Sequence, residues 1–240
     1  MASTQHSDPS PRGIVVRRAL AEGRQADPAG HRIHLAMAAV FMAVLPLGMT
    51  PGAKDVMLIT LAIFTFLRLP RIHRCYVPLR RDPLVWLIYA YPVWLLLSLT
   101  WSPAPALGIE EARVLRMTAL PWLLWPVLLH YRTLITSFLV GCGFIVLVQL
   151  GQILDAPGLA VDIQGRADAA MQPIQAGLFL VTAAMWLLTG VLFSTGSRGR
   201  GLAAAFISSV VGLVLTGSRG PWISLAFATA LVLLVIPALI

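Results

Sequence analysis

The sequence predicts an all-α integral membrane protein, a multi-span helical bundle of about eight transmembrane helices. Three observations carry this. Hydrophobic residues make up 58% of the chain and charged ones only 12%, with a mean hydropathy of +0.82, whereas soluble domains carry about 25% charged residues. The apolar residues fall into runs near the ~20 residues that a helix needs to cross a bilayer. The cations, in turn, gather in the connections between those runs, as topology signals do.

Taken in order, residues 1–32 are polar and rich in Pro, Gly and Arg. They lack the apolar core and small-residue cleavage site of a signal peptide. The expectation is a disordered cytoplasmic tail over 1–32, followed by a transmembrane helical domain over 33–240. Spans are expected at 33–49, 53–69, 84–101, 114–129, 134–154, 174–193, 201–215 and 221–240. Thr50-Pro51-Gly52 makes the first two a hairpin.

With the N-terminus inside, the cytoplasmic segments hold Arg12, Arg17, Arg18, Arg24, Arg32, Arg68, Arg71, Arg74, Arg80, Arg81, Arg132, Arg198 and Arg200. The other side holds Lys54, Arg113, Arg116, Arg166 and Arg219. The positive-inside rule makes the richer side cytoplasmic and places both termini there. The net charge of +8 does not indicate nucleic acid, because the cations share no face with interleaved aromatics. Cys75 and Cys142 lie at different expected depths, and no Cys or His spacing suits a metal. No metal site and no cofactor are expected.

Chemistry is expected on the cation-poor side. Arg219 stands in Thr216-Gly217-Ser218-Arg219-Gly220-Pro221-Trp222, between two apolar runs. Gly217 and Gly220 permit close backbone approach, Ser218 adds a small polar neighbour, and Pro221 suits the first position of a helix. A guanidinium and the amides of a helix start can hold one anion together. The alternative is an arginine that snorkels at a span end. Arg113 and Arg116 are three apart and share a helix face. They are either a second anion grip or part of a solvated interfacial helix. Arg166, after Gly165, is either a phosphate contact or an ordinary loop charge. Gln149, Gln152 and Thr182 read as helix–helix hydrogen bonders.

Ser98…Thr100-Trp101-Ser102-Pro103, Gly165-Arg166…Pro173…Gly177 and the turn around Arg219 together resemble the O-antigen ligase/O-antigen polymerase superfamily, over roughly residues 33–240. The resemblance implies a multi-pass enzyme of the bacterial inner membrane. It would move glycan from undecaprenyl diphosphate to lipid A-core on the periplasmic face, without a metal, cofactor or nucleotide sugar. A growing glycan or a protein is the acceptor in the related polymerases and oligosaccharyltransferases. Arg219 matches the signature turn and would hold the diphosphate; Arg166 is a looser match, and Arg113 and Arg116 are looser still.

Family members continue through a periplasmic loop carrying a catalytic histidine. His6, His31, His34, His73 and His130 all fall on or near the expected cytoplasmic side, so no catalytic residue is assigned. The expectation is the N-terminal half of such an enzyme, whether as a truncated gene product, a fragment or a split protein completed by a separate C-terminal half. A transporter of bicarbonate or another small anion is the competing class, but the inverted repeats of many transporters are not evident.

Overall fold

The computed structural model of the chain describes residues 11–48, 51–103, 105, 112–156, 159, 169 and 172–239. All regular structure among them is helical. Helix α1 spans Pro11–Ala26, α2 Pro28–Val44 and α3 Pro51–Ile72. A 3₁₀ turn, His73–Tyr76, and a short α4, Val77–Arg80, continue from α3. Next come α5, Pro83–Ser98, and a mostly 3₁₀ stretch, Ala112–Ala119 and Trp125–His130, broken by α6, Leu120–Leu124. Four long helices close the chain: α7 Tyr131–Ile153, α8 Pro173–Leu192, α9 Gly196–Leu215 and α10 Arg219–Leu239.

Among the described residues, five helical stretches are long and apolar enough to cross a membrane. They are Gly52–Arg80, Pro83–Trp101, Met117–Ile153, Pro173–Leu192 and Gly196–Leu215. Three features separate this set from the eight expected. Helix α2 has only 17 residues and opens on polar sequence. The fourth and fifth expected spans join in one helical run, and the final helix, Arg219–Leu239, is set apart only because its apolar character is described over Arg219–Leu234 alone. Much of the surface suits lipid: in α5, Leu84, Trp86, Leu87, Tyr91, Val93 and Trp94 are exposed while Val85 alone is a buried apolar side chain. A helix that is apolar all round has no face to offer water.

The chain divides into two compact units, one from Met1–Ala38 and Leu58–Tyr131, the other from Ala39–Met57 and Arg132–Ile240. In the first, the expected tail is corrected: Pro11–Ala26 is a helix, packed against the His73–Tyr76 turn and the Trp125–His130 stretch. The cause is a small apolar face within the basic sequence. Leu20 is buried with Ile72, Cys75, Tyr76 and Leu79, and Val16 packs on them. Gly23 lets the helix approach so closely that a Cβ there would lie 3.0 Å from Cys75 Cβ. Trp125 Nε1 donates to the Cys75 carbonyl (2.6 Å) and Tyr76 Oη to that of Trp122 (3.1 Å). Buried indole and phenol groups need such partners.

The second unit is built by α7, α8, α9 and α10 around Cys142, Ile145, Val146, Leu180, Ala183, Ala184, Leu213 and Leu225. Small residues set its spacing, as is usual between membrane helices. A Cβ on Gly141 would collide with the Ala43 carbonyl, and one on Gly212 would come within 2.9 Å of Gln149 Oε1 and Val146 Cγ2. Gln152 accepts from the Ala169 amide at 2.9 Å. Thr182 differs from its expected role between helices: it is exposed and donates to Leu178 of its own helix at 2.9 Å.

Candidate functional site

The turn between α9 and α10 is fixed by three local devices. Gly217 has φ +59°, the left-handed geometry with which glycine ends helices, and its amide returns to Val214 O at 3.0 Å. Thr216, fully buried, donates to Leu213 O at 2.8 Å and accepts from Ser218 N at 3.3 Å. Pro221 packs into the space left by Gly177 on α8, where a Cβ would stand 2.6 Å from Pro221 Cγ. Two parts of the sequence pattern, 44 positions apart in number (221 − 177), thus touch in one unit.

Within this turn the expected roles need three adjustments. Helix α10 begins at Arg219 rather than at Pro221. Gly217 is there for helix termination. Gly220 faces open space, with nothing within 4 Å of a Cβ, so crowding does not require it. Ser218 is buried and Arg219 exposed. The Arg219 guanidinium makes no hydrogen bond or ion pair with another described residue, and it stands at the positive end of α10.

The other expected site residues are not brought to this turn by anything described. Arg166 lies outside the described residues. Arg113 and Arg116 belong to the Ala112–Ala119 3₁₀ stretch of the first unit. Residues three apart eclipse in that geometry, so the two backbone positions do share a face.

A second constellation went unread in the sequence. Asp27 caps α2 through Gly30 N→Oδ1 at 3.0 Å, and its Oδ2 accepts from Arg68 Nε of α3 at 2.7 Å. Arg68 Nη1 lies 2.8 Å from His34 Nδ1. A guanidinium only donates, so Nδ1 accepts and the imidazole proton sits on Nε2, 2.7 Å from the Leu123 carbonyl. Thr65 Oγ1 is 3.4 Å from the same nitrogen and donates to Leu61 O at 2.7 Å. Arg68 is 4% exposed, His34 0% and Asp27 9%, a degree of burial at which an unpaired charge would be prohibitive. The hydrogen bond from Arg68 holds the Asp27 carboxyl below the usual carboxylate range, against an opposing effect of burial.

His31, one helical turn after Asp27, is 3% exposed, and neither ring nitrogen has a hydrogen-bond partner. Its ring lies 5.2 Å from that of His130. Burial, and then the charges of His130, Arg68 and Arg24, push its pKa down to about 4. The network was missed because Arg68 reads as one more topology cation. The available signal was Asp27-Pro28 as a helix start, with His31 and His34 four and seven residues on, all on one helix face.

The described residues contain no group of three or more His, Cys, Asp or Glu able to hold a metal. No family model, curated protein or solved structure matches the chain.

Proposed function

We propose that the chain is an O-antigen ligase-like membrane protein whose 216–221 turn binds the diphosphate of an undecaprenyl-linked glycan. The observation that supports this reading is an exposed Arg219, bonded to no other described residue, at the start of α10 in a turn locked by Thr216, Gly217 and the Gly177–Pro221 contact. A guanidinium offers a planar fork to phosphate oxygens and stabilises the negative charge that builds as a diphosphate leaves an anomeric carbon. Arg166 is a weaker second contact in this proposal, and Arg113 and Arg116 weaker still. Lipid A-core is the proposed acceptor, with a growing glycan or a protein as the other family outcomes. Transfer also needs a base for the acceptor hydroxyl. His34 is unsuited to it, with both nitrogens engaged.

The transporter reading draws on cations held within the membrane. Arg68, the buried arginine of the described spans, is engaged by Asp27 and His34, which favours the exposed Arg219 as the anion site. The proposed topology remains eight crossings of the bacterial inner membrane with both termini cytoplasmic. In cysteine-free protein, Pro105→Cys should then react with an impermeant maleimide on intact spheroplasts, and Arg198→Cys should not.

The function is tested by binding. Purified protein should retain undecaprenyl diphosphate in native mass spectrometry. Arg219→Ala should lose it, Arg219→Lys should largely lose it because lysine lacks the fork, and Arg200→Ala should behave as wild type. Equal retention by Arg219→Ala at equal protein level would leave the snorkelling arginine as the better account.

A further inference from the structure

Beside α1 the first unit carries an open cleft of about 420 Å³, with Glu22 and Gln25 on the α1 side and Arg71, His73 and Arg74 on the other. We infer that this cleft binds the phosphate headgroup of an anionic glycerophospholipid.

Charge is the first argument. Arg71 and Arg74 are exposed and make no hydrogen bond or ion pair with another described residue. Glu22, the acid on the opposite wall, is offset by Arg18, whose Nε lies 3.1 Å from Glu22 Oε1. His73 is turned to its own helix end, its Nδ1 donating to the Pro70 carbonyl at 3.1 Å. Two guanidiniums bonded to no other described residue, beside the side-chain amide of Gln25, make a phosphate site rather than a cation site.

The surface leading to the cleft selects a lipid over free phosphate. Ile59, Ile63 and Leu67 are 56%, 56% and 70% exposed, and at a spacing of four they form one stripe of α3 that ends on Arg71. Arg71 follows the apolar part of the Gly52–Arg80 candidate span. An apolar stripe that ends in a cation matches an acyl chain that ends in a phosphate. Basic pockets beside membrane helices hold anionic headgroups by this combination. The site lies in the first unit and Arg219 in the second, so the inference is independent of the proposed function.

The test uses the full chain in detergent, with phosphatidylglycerol, phosphatidylcholine and inorganic phosphate as separate probes. Native mass spectrometry reads bound lipid, and the melting temperature reads stabilisation. The expected result is preferential retention of phosphatidylglycerol, weakened roughly tenfold or more by Arg71→Ala/Arg74→Ala, since each surface cation contributes on the order of 1 kcal/mol to anionic lipid binding. Arg71→Lys/Arg74→Lys keeps the charge and should retain most of the preference, which guards against a fold defect in the alanine variant. Leu67→Asn should weaken lipid binding with both arginines intact. Equal retention of the two lipids, or wild-type retention by the alanine variant, overturns the inference. So does competition by inorganic phosphate that is unaffected by Leu67→Asn, which would mark a site for the free anion.

Discussion

Arg68 and Arg219 are the same side chain in opposite settings, one in each unit. Arg68 is 4% exposed, joined to Asp27 at 2.7 Å and to His34 at 2.8 Å. Arg219 is exposed at a helix start and bonded to no other described residue. The first unit therefore has α2 and α3 fastened by a polar network whose every link is directional. The second unit is assembled from small residues and apolar contact, with Gly141, Gly177 and Gly212 letting neighbours approach closely. An arginine whose donors are used internally secures a fold; one whose donors are free at a rigid turn is available to a ligand.

Breaking the fastener should have the largest effect. Arg68→Ala leaves Asp27 and His34 buried without their partner and should cost about 3–5 kcal/mol, seen as loss of folded protein by fluorescence-detected size exclusion. Arg68→Met combined with Asp27→Leu should recover much of it; recovery by neither protein level nor melting temperature would show that the network does more than cancel its own charges.

In the second unit, Gly141→Ala drives a methyl into the Ala43 carbonyl and should cost about 1–3 kcal/mol. Gly143→Ala, two positions on and with nothing within 4 Å, should be neutral or stabilising by up to about 1 kcal/mol. Equal melting temperatures for the two variants would undo the close-approach account.

A smaller effect follows from His31. Its folded pKa, near 4, lies below the ordinary value of 6.5, so between those values the unfolded chain takes up a proton that the folded chain refuses. Stability that is fully present above pH 6.5 is lost as the pH falls toward 4. Asp27, also depressed, adds a loss of the same sign at lower pH. Melting temperature should drop by a few degrees across the His31 window, and His31→Gln should flatten that slope. A slope unchanged by the substitution would assign the titration elsewhere.

The smallest stability effect is expected at Arg219. An exposed residue bonded to no other described residue should change stability by less than about 0.5 kcal/mol on mutation to Ala, whatever becomes of the proposed diphosphate binding. A large fall in melting temperature would instead make Arg219 part of the fold.

Long apolar runs were readable because hydropathy alone delimits them. The expected 134–154 and 174–193 correspond to Tyr131–Ile153 and Pro173–Leu192. Helix α1 was hidden because its large apolar contacts with the core are few, Val16 and Leu20 with the close approach at Gly23, and do not stand out among arginines. The Asp27–Arg68–His34 network was hidden for a different reason: it joins positions 41 and 34 apart, and nothing local marks such a pairing. At the Arg219 turn, residue types pointed to a turn and a helix start, while the contact of Pro221 with Gly177 required the packed helices.

The two cysteines of the chain divide evenly between the units. Cys75 is 1% exposed under α1, and Cys142 is 2% exposed between α7 and α8, with its Sγ 3.7 Å from Phe179 O. Neither is in a disulfide, so each thiol can react only when its own surroundings part. The wild-type protein thus contains two internal clocks, one per unit. Pulsed alkylation followed by peptide mapping times the opening of each separately, without any added label or altered residue.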